Sequence, residues 1–254
     1  MKVLPVACLE DNYSYLVLDE KTNQVFAVDP VEPEKVLKSL EEFGGSKITA
    51  VFCTHHHWDH VGGNESLVAT LGDNITVYGG DDRVPKITNT VEHEQTFEFG
   101  SLKIKALSTK GHTQGHICFF VTDPETNEKV VFTGDTLFIG GCGRFFEGSP
   151  ADMHRSLVEV LAKLPKETKV YCGHEYTKGN LRFALSVDPD NEVLKKKAAW
   201  ANEQSVTVPS TIGEELEFNP FMRVDNAAFQ SVLNKGSDPV EVMRHLRETK
   251  DNFK

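Results

Sequence analysis

The sequence predicts an α/β body followed by a helical C-terminal domain, with the change of character near residue 175. Over the first 175 residues, short β-branched runs alternate with amphipathic stretches, the pattern of strands interleaved with helices. Beyond that point the strand-like runs cease and helical spacing takes over. In addition, several of the strand-like runs end in a histidine or an aspartate.

The elements follow in order. "YSYLVLDEKTNQVFAVD" reads as two strands around a polar turn. In "EPEKVLKSLEEFGG", Val36, Leu37, Leu40 and Phe43 fall at helical spacing, and Gly44 stops the helix. Short β-rich runs come next: "ITAVFCT", "LKIKALST", "HICFFVTD", "KVVFTGD" and "TKVYCGH". Among them sits one helix, "SPADMHRSLVEVLAKL". Ser149 caps it, Pro150 suits its first position, and Met153, Leu157, Leu161 and Leu164 line one face. The last third contains three helical runs, "NEVLKKKAAWANEQ", "DNAAFQSVLNKG" and "DPVEVMRHLRETKDNF".

Composition narrows the function classes. A chain of 254 residues can hold one large core, or one main domain with an appendage. No apolar run approaches the roughly eighteen residues of a membrane span, and the N-terminal apolar stretch is too short for a signal peptide. A net charge of −11 argues against a nucleic-acid groove. An anionic substrate would therefore need a local cationic cluster. The five cysteines are scattered and odd in number, which reads as buried free thiols in a reducing, cytoplasmic setting.

The chemistry gathers where strands end. "AVFCT" runs into His55, His57, Asp59 and His60; "IKALST" leads to His112, "VVFT" to Asp135 and "KVYC" to His174. Ligands at the ends of several strands of one sheet can converge at its edge. In extended backbone, residues 55 and 57 point the same way and residue 56 points away. Seven ligands exceed what one ion needs. His55, His57 and His112 are assigned to a first ion and Asp59, His60 and His174 to a second. Asp135 would bridge them beside a shared hydroxide. Nitrogen and oxygen donors without thiolate admit zinc, iron and manganese, with zinc taken first. His56, His93, His116, His154 and His245 are read as structural.

These residues resemble the metallo-β-lactamase superfamily, through H-x-H-x-D-H and the later "GHTQGH", "FTGDTLF" and "CGHEY". Within it, "GGCGRFFEG" and the helical tail resemble the glyoxalase II family, the hydroxyacylglutathione hydrolases. The resemblance implies an αββα sandwich with the binuclear site at one edge. It implies a catalytic domain over residues 1–175 and a glutathione-binding helical domain over residues 176–254. Its substrate-side positions fall on Arg144, Phe146, His174 (also a metal ligand), Tyr176, Arg247 and Lys250, and Phe146 stands where the family often has tyrosine. The implied reaction hydrolyses S-D-lactoylglutathione to glutathione and D-lactate, the second step of methylglyoxal detoxification. The expected protein is monomeric and cytoplasmic, without nucleic-acid or membrane partners.

The residues agree with that reaction. A thiolate whose conjugate acid has a pKa near roughly 8.5 leaves without a strong general acid, and no extra acid or base stands out; the catalytic carboxylates are the bridging Asp135 and Asp59, which would orient the hydroxide. Arg247 and Lys250 each follow an apolar residue of the last helix by four positions, Met243 and Leu246, so both border its buried stripe. An iron-dependent persulfide dioxygenase on the same scaffold would not need the second set of ligands. The acidic charge disfavours a nuclease, and the complete ligand set disfavours a non-catalytic metal-binding protein.

Overall fold

A computed structural model describes residues 1–44, 47–72, 74–234 and 236–253. Positions 45, 235 and 254, where helical or terminal readings of the sequence end, lie outside them. The chain divides into two compact units. Unit 1 is residues 1–108 with 115–134, and unit 2 is residues 109–114 with 135–254.

Unit 1 is built on β1 (Lys2–Cys8), β2 (Asn12–Asp19), β3 (Gln24–Val28), α1 (Pro33–Phe43), β4 (Ile48–Phe52), α2 (Trp58–Val61), α3 (Asn64–Leu71), β5 (Thr76–Gly79), β6 (Asn89–Thr90), β7 (Thr96–Phe99), β8 (Leu102–Ser108), β9 (Ile117–Thr122) and β10 (Lys129–Gly134). One sheet runs β1-β2-β3-β4-β5-β6. It is antiparallel from β1 to β3 and parallel from β3 to β6. In the other sheet β7, β8, β9 and β10 pair antiparallel in sequence.

Phenylalanines fill the space between these sheets. Phe52 is fully buried, stacked on Phe26 at 4.3 Å and on Phe119 at 4.9 Å between ring centres. On its other face the first sheet carries α1 and α3, through Val36, Leu40, Leu67 and Val68. With both faces covered, β3 and β4 read as continuous apolar runs, as expected for buried parallel strands.

Unit 2 contains β11 (Leu137–Phe138), β12 (Gly141–Cys142), α4 (Pro150–His154), β13 (Lys169–Cys172), α5 (Thr177–Val187), α6 (Glu192–Asn202), β14 (Ser210–Thr211), α7 (Ile212–Phe218), α8 (Ala227–Leu233) and α9 (Pro239–Asp251). The structure qualifies two sequence expectations here. Strands do not end at residue 175, because Ser210 and Thr211 pair with Val170 and Lys169. Nor is the run from Pro150 a uniform α-helix: a π segment over Arg155–Val160 and a 3₁₀ turn over Leu161–Lys163 follow α4. A row at i, i+4, i+8 drifts by about 40° per step on an α-helix. The wider π turn corrects that drift, and Met153, Leu157 and Leu161 all stay fully buried. The expected Ser149 cap is present as a capping box with Asp152.

Among the described residues no helix is long and apolar enough to cross a membrane. All five cysteines are free and buried.

One prediction concerns the sheet core. Phe52→Ala removes the ring that stacks on both Phe26 and Phe119. Equilibrium denaturant unfolding is expected to show a loss of about 3–5 kcal/mol. A loss below about 0.5 kcal/mol, the level of an ordinary surface substitution, would mean that the stack does not organise the core.

Candidate active site

In unit 1 the site begins where two parallel strands end side by side. β4 ends at Phe52 and β3 at Val28, and the Asp29 amide donates to the Phe52 carbonyl. Asp29 takes a left-handed backbone (φ 47) and turns a buried carboxylate under the segment after β4. One of its oxygens accepts the Thr54 amide at 2.8 Å. The other accepts the Thr54 hydroxyl at 2.6 Å and lies 3.0 Å from His60 Nδ1.

These bonds select the tautomer of each neutral ring. Facing the Asp29 carboxylate, His60 Nδ1 is the protonated nitrogen, and Nε2 of the neutral ring keeps a lone pair. The single proton of the Thr54 hydroxyl goes to Asp29. That hydroxyl must therefore accept from His55 Nδ1, 3.1 Å away, which leaves His55 Nε2 as the lone-pair nitrogen. His55 Nε2 stands 3.1 Å from His57 Nδ1, so residues 55 and 57 do turn toward each other. After His57 the chain bends into α2, which brings Asp59 Oδ2 to 3.6 Å from His60 Nε2. Asn12 holds Asp59, donating to its carbonyl at 2.9 Å and to Oδ2 at 3.1 Å. His116, read as structural, is fully buried and stacked on His55 at 5.0 Å.

In unit 2 one carboxylate oxygen serves two imidazoles. Asp135 Oδ2 lies 3.5 Å from His112 Nε2 and 3.4 Å from His174 Nε2. His112 Nδ1 donates to the Arg144 carbonyl at 3.0 Å, so its Nε2 is the lone-pair nitrogen. Asp135 follows Gly134, which has φ 45 and no room for a side chain: a Cβ there would lie 2.4 Å from Thr54 Oγ1.

The donor set fits metal ions. Two donors each about 2.0–2.1 Å from one tetrahedral ion stand about 3.3 Å apart. The separations of 3.1, 3.4, 3.5 and 3.6 Å within the two units bracket that value. Burial pushes the Cys142 thiol up to about 11 and the Cys172 thiol up to about 12, and raises Cys53 as well.

Beside Asp135 and His112, unit 2 holds a cavity of 560 Å³. Every substrate-side residue expected from the sequence belongs to unit 2. Tyr176 lies flat on His174, with ring centres 4.6 Å apart and planes at 6°. The exposed Phe146 sets its ring 5.2 Å from His112. Arg144 is exposed and pairs with Asp251 at 3.3 Å. Arg247 is buried, donating to the Cys142 carbonyl at 2.9 Å and to Asp251 at 2.8 Å. Lys250 donates to Asn180 Oδ1 at 2.6 Å, and burial, with Arg247 beside it, brings its pKa down to about 8.

The sequence reading passed over Asp29, Thr54, Asn12, Phe138 and Asn180. Asp29 carried a usable signal, since it ends a buried strand just as Asp135 does. The others are ordinary polar or apolar residues whose place depends on the fold.

The family is decided by comparison. Residues 10–174 match the metallo-beta-lactamase superfamily, and residues 175–253 match the family described as hydroxyacylglutathione hydrolase C-terminus. A relative from Arabidopsis thaliana named hydroxyacylglutathione hydrolase cytoplasmic is 50% identical over 260 residues, covering 100% of both chains. The chain belongs to the hydroxyacylglutathione hydrolases. Its fold is the metallo-β-lactamase fold with a helical C-terminal region. The crystal structure of ETHE1 from Myxococcus xanthus superposes with a TM-score of 0.70 at 27% identity, covering 97% of this chain and 91% of that one. TTHA1623, solved in a di-iron-bound form, gives 0.60 at 26% identity over 86% of this hydroxyacylglutathione hydrolase homologue and 99% of TTHA1623.

Proposed function

We propose that this protein is a dinuclear metal thioesterase that hydrolyses S-2-hydroxyacylglutathione, with S-D-lactoylglutathione as substrate and glutathione and D-lactate as products. That reaction is the second step of methylglyoxal detoxification. One observation carries the proposal: a single cavity is lined both by Asp135 and His112 and by the cations Arg144, Arg247 and Lys250. Its volume lies within the range of about 300–1,000 Å³ typical of small-molecule sites. In a chain of net charge −11, such a cluster is a specific provision for an anionic ligand. Family membership and the named activity of the Arabidopsis relative support the same reading.

His55, His57 and His112 would hold one ion, Asp59, His60 and His174 the other, and Asp135 would serve both. The di-iron form of TTHA1623 supports the count, and the donor chemistry suits zinc, iron or manganese, with zinc taken first. When loaded, such a centre supplies an ionised water near neutral pH and positive charge for a developing oxyanion. Asp59, held by Asn12, would orient the attacking water by accepting a hydrogen bond. The glutathione thiolate departs without a general acid, as its basicity allows.

On the substrate side, Lys250 and Arg247 would hold the glycine carboxylate. Arg144 and Tyr176 would grip the peptide beside His174. Phe146 would offer apolar contact but no hydroxyl. Residues 1–175 would form the catalytic domain and residues 176–254 the substrate-binding domain. The protein would act as a cytoplasmic monomer, without nucleic-acid or membrane partners.

The direct test is loss of the thioester absorbance of S-D-lactoylglutathione. Turnover is expected, abolished by a chelator and restored by zinc, iron or manganese. Turnover indifferent to metal removal would contradict the dinuclear reading.

A second prediction follows from Lys250. Its pKa falls from 10.5 to about 8, so the ammonium that attracts a carboxylate is lost as pH rises through 8. The value of kcat/KM for lactoylglutathione should therefore decline above that pH. A charged hydrogen bond contributes roughly 1.5–3 kcal/mol, so the decline should reach about ten-fold. Lys250→Arg keeps its charge and should flatten the profile, whereas Lys250→Gln should be low throughout. Coincident profiles for wild type and Lys250→Arg would remove Lys250 from substrate binding.

A further inference from the structure

We propose that Glu215, on α7, and Asn219, which caps the C-terminus of that helix, are positioning residues. They fix the short β11–β12 hairpin as the wall of the substrate cavity and so set the grip on the peptide half of the substrate. The inference rests on the reading above for what occupies the cavity. Nothing in their sequence context marks these residues, which stand four apart, one inside a seven-residue helix and one at its C-terminal cap.

Glu215 is fully buried. One carboxylate oxygen accepts the Ser210 hydroxyl at 2.6 Å, and the other accepts the Gly140 amide and Asn219 Nδ2, both at 2.9 Å. Asn219 Nδ2 also faces the carbonyls of Phe138 at 3.2 Å and Gly141 at 3.1 Å. From α5, Asn180 Nδ2 donates to the Ile139 carbonyl at 3.1 Å. Four consecutive residues, 138 to 141, thus each have a backbone group tied to a buried side chain. The hairpin tip cannot relax sideways either. Gly140 has φ 69, and a Cβ there would stand 2.8 Å from Leu181.

The outward side of this hairpin meets the site. The Phe138 ring stands edge-on to His174 at 5.9 Å and to Tyr176 at 5.1 Å. Cys142, at its end, gives its carbonyl to Arg247. One side of the hairpin is therefore anchored by α5 and α7, and the other positions Tyr176 and Arg247. A buried carboxylate is an expensive anchor unless every lone pair is used. Burial raises Glu215 to about 7, so near neutrality it can equally carry a proton and give it to the Ser210 hydroxyl. A glutamine would reproduce that arrangement, with its oxygen toward Gly140 and Asn219 and its amide toward Ser210.

The test compares Glu215→Leu, Glu215→Gln and Asn219→Ser with wild type. Serine keeps an acceptor for the Phe221 amide, which Asn219 Oδ1 now takes at 3.0 Å, but reaches none of the hairpin carbonyls. KM is measured for lactoylglutathione and for a short acyl thioester without the peptide, below the melting temperature of every variant. Displacement of a positioned group by about 1 Å is costly. Glu215→Leu and Asn219→Ser should therefore raise KM for lactoylglutathione about ten-fold, without a matching rise for the short thioester. Glu215→Gln should keep the wild-type ratio. Should Glu215→Leu fail to fold, Asn219→Ser carries the comparison. An unchanged KM ratio with only a lower melting temperature would overturn the proposal, as would a Glu215→Gln variant as impaired as Glu215→Leu. Wild type that leaves lactoylglutathione intact would overturn the underlying reading as well, and that result is visible before any variant is compared.

Discussion

Asp135 Oδ2 faces two imidazole nitrogens at nearly equal distances, 3.5 Å to His112 and 3.4 Å to His174. Both separations exceed an ordinary N–H···O hydrogen bond, and both suit a cation between the atoms. In the proposed centre this oxygen would offset the mutual repulsion of two cations acting on one water. The surrounding structure is arranged so that this oxygen and its neighbours cannot turn away. Gly134 admits the backbone where a side chain would collide, and the Arg144 carbonyl fixes the ring of His112.

The same logic governs the other histidines. A ligating imidazole must present a lone pair, so its other nitrogen needs a fixed acceptor. Asp29 supplies that acceptor twice in unit 1, directly to His60 and through the Thr54 hydroxyl to His55. Its left-handed backbone is the local strain accepted for placing one carboxylate beneath both rings. In unit 2 a buried glutamate does comparable work for the cavity wall. There the held group is backbone, at Gly140, and the effect reaches aromatic and cationic residues that line the cavity.

Much of this was legible in the sequence because a candidate metal site draws on few residue types. His55, His57, Asp59 and His60 are conspicuous as a cluster, and the strand-end placement of His112, Asp135 and His174 follows from apolar runs that stop abruptly. The α/β body, the α1 helix and the Ser149 cap were legible for similar reasons, since periodicity and capping act over a few residues. What escaped depends on distant contacts. The π segment after α4 answers to packing that local propensity does not encode, and β14 exists only because residues 210 and 211 meet a partner about forty positions earlier. Arg247 and Lys250 were read as bordering the buried stripe of their helix, yet their partners were not foreseeable. The structure gives Arg247 to the Cys142 carbonyl and Asp251, and Lys250 to Asn180.

The most direct measurement for the central claim is electron paramagnetic resonance of the protein loaded with manganese, for wild type and for Asp135→Ala. A carboxylate oxygen shared by two ions predicts a spin-coupled pair in wild type. The Asp135→Ala protein is expected to give an isolated-ion signal at lower metal content. A wild-type spectrum of independent ions, left unchanged by the substitution, would contradict the shared-oxygen account.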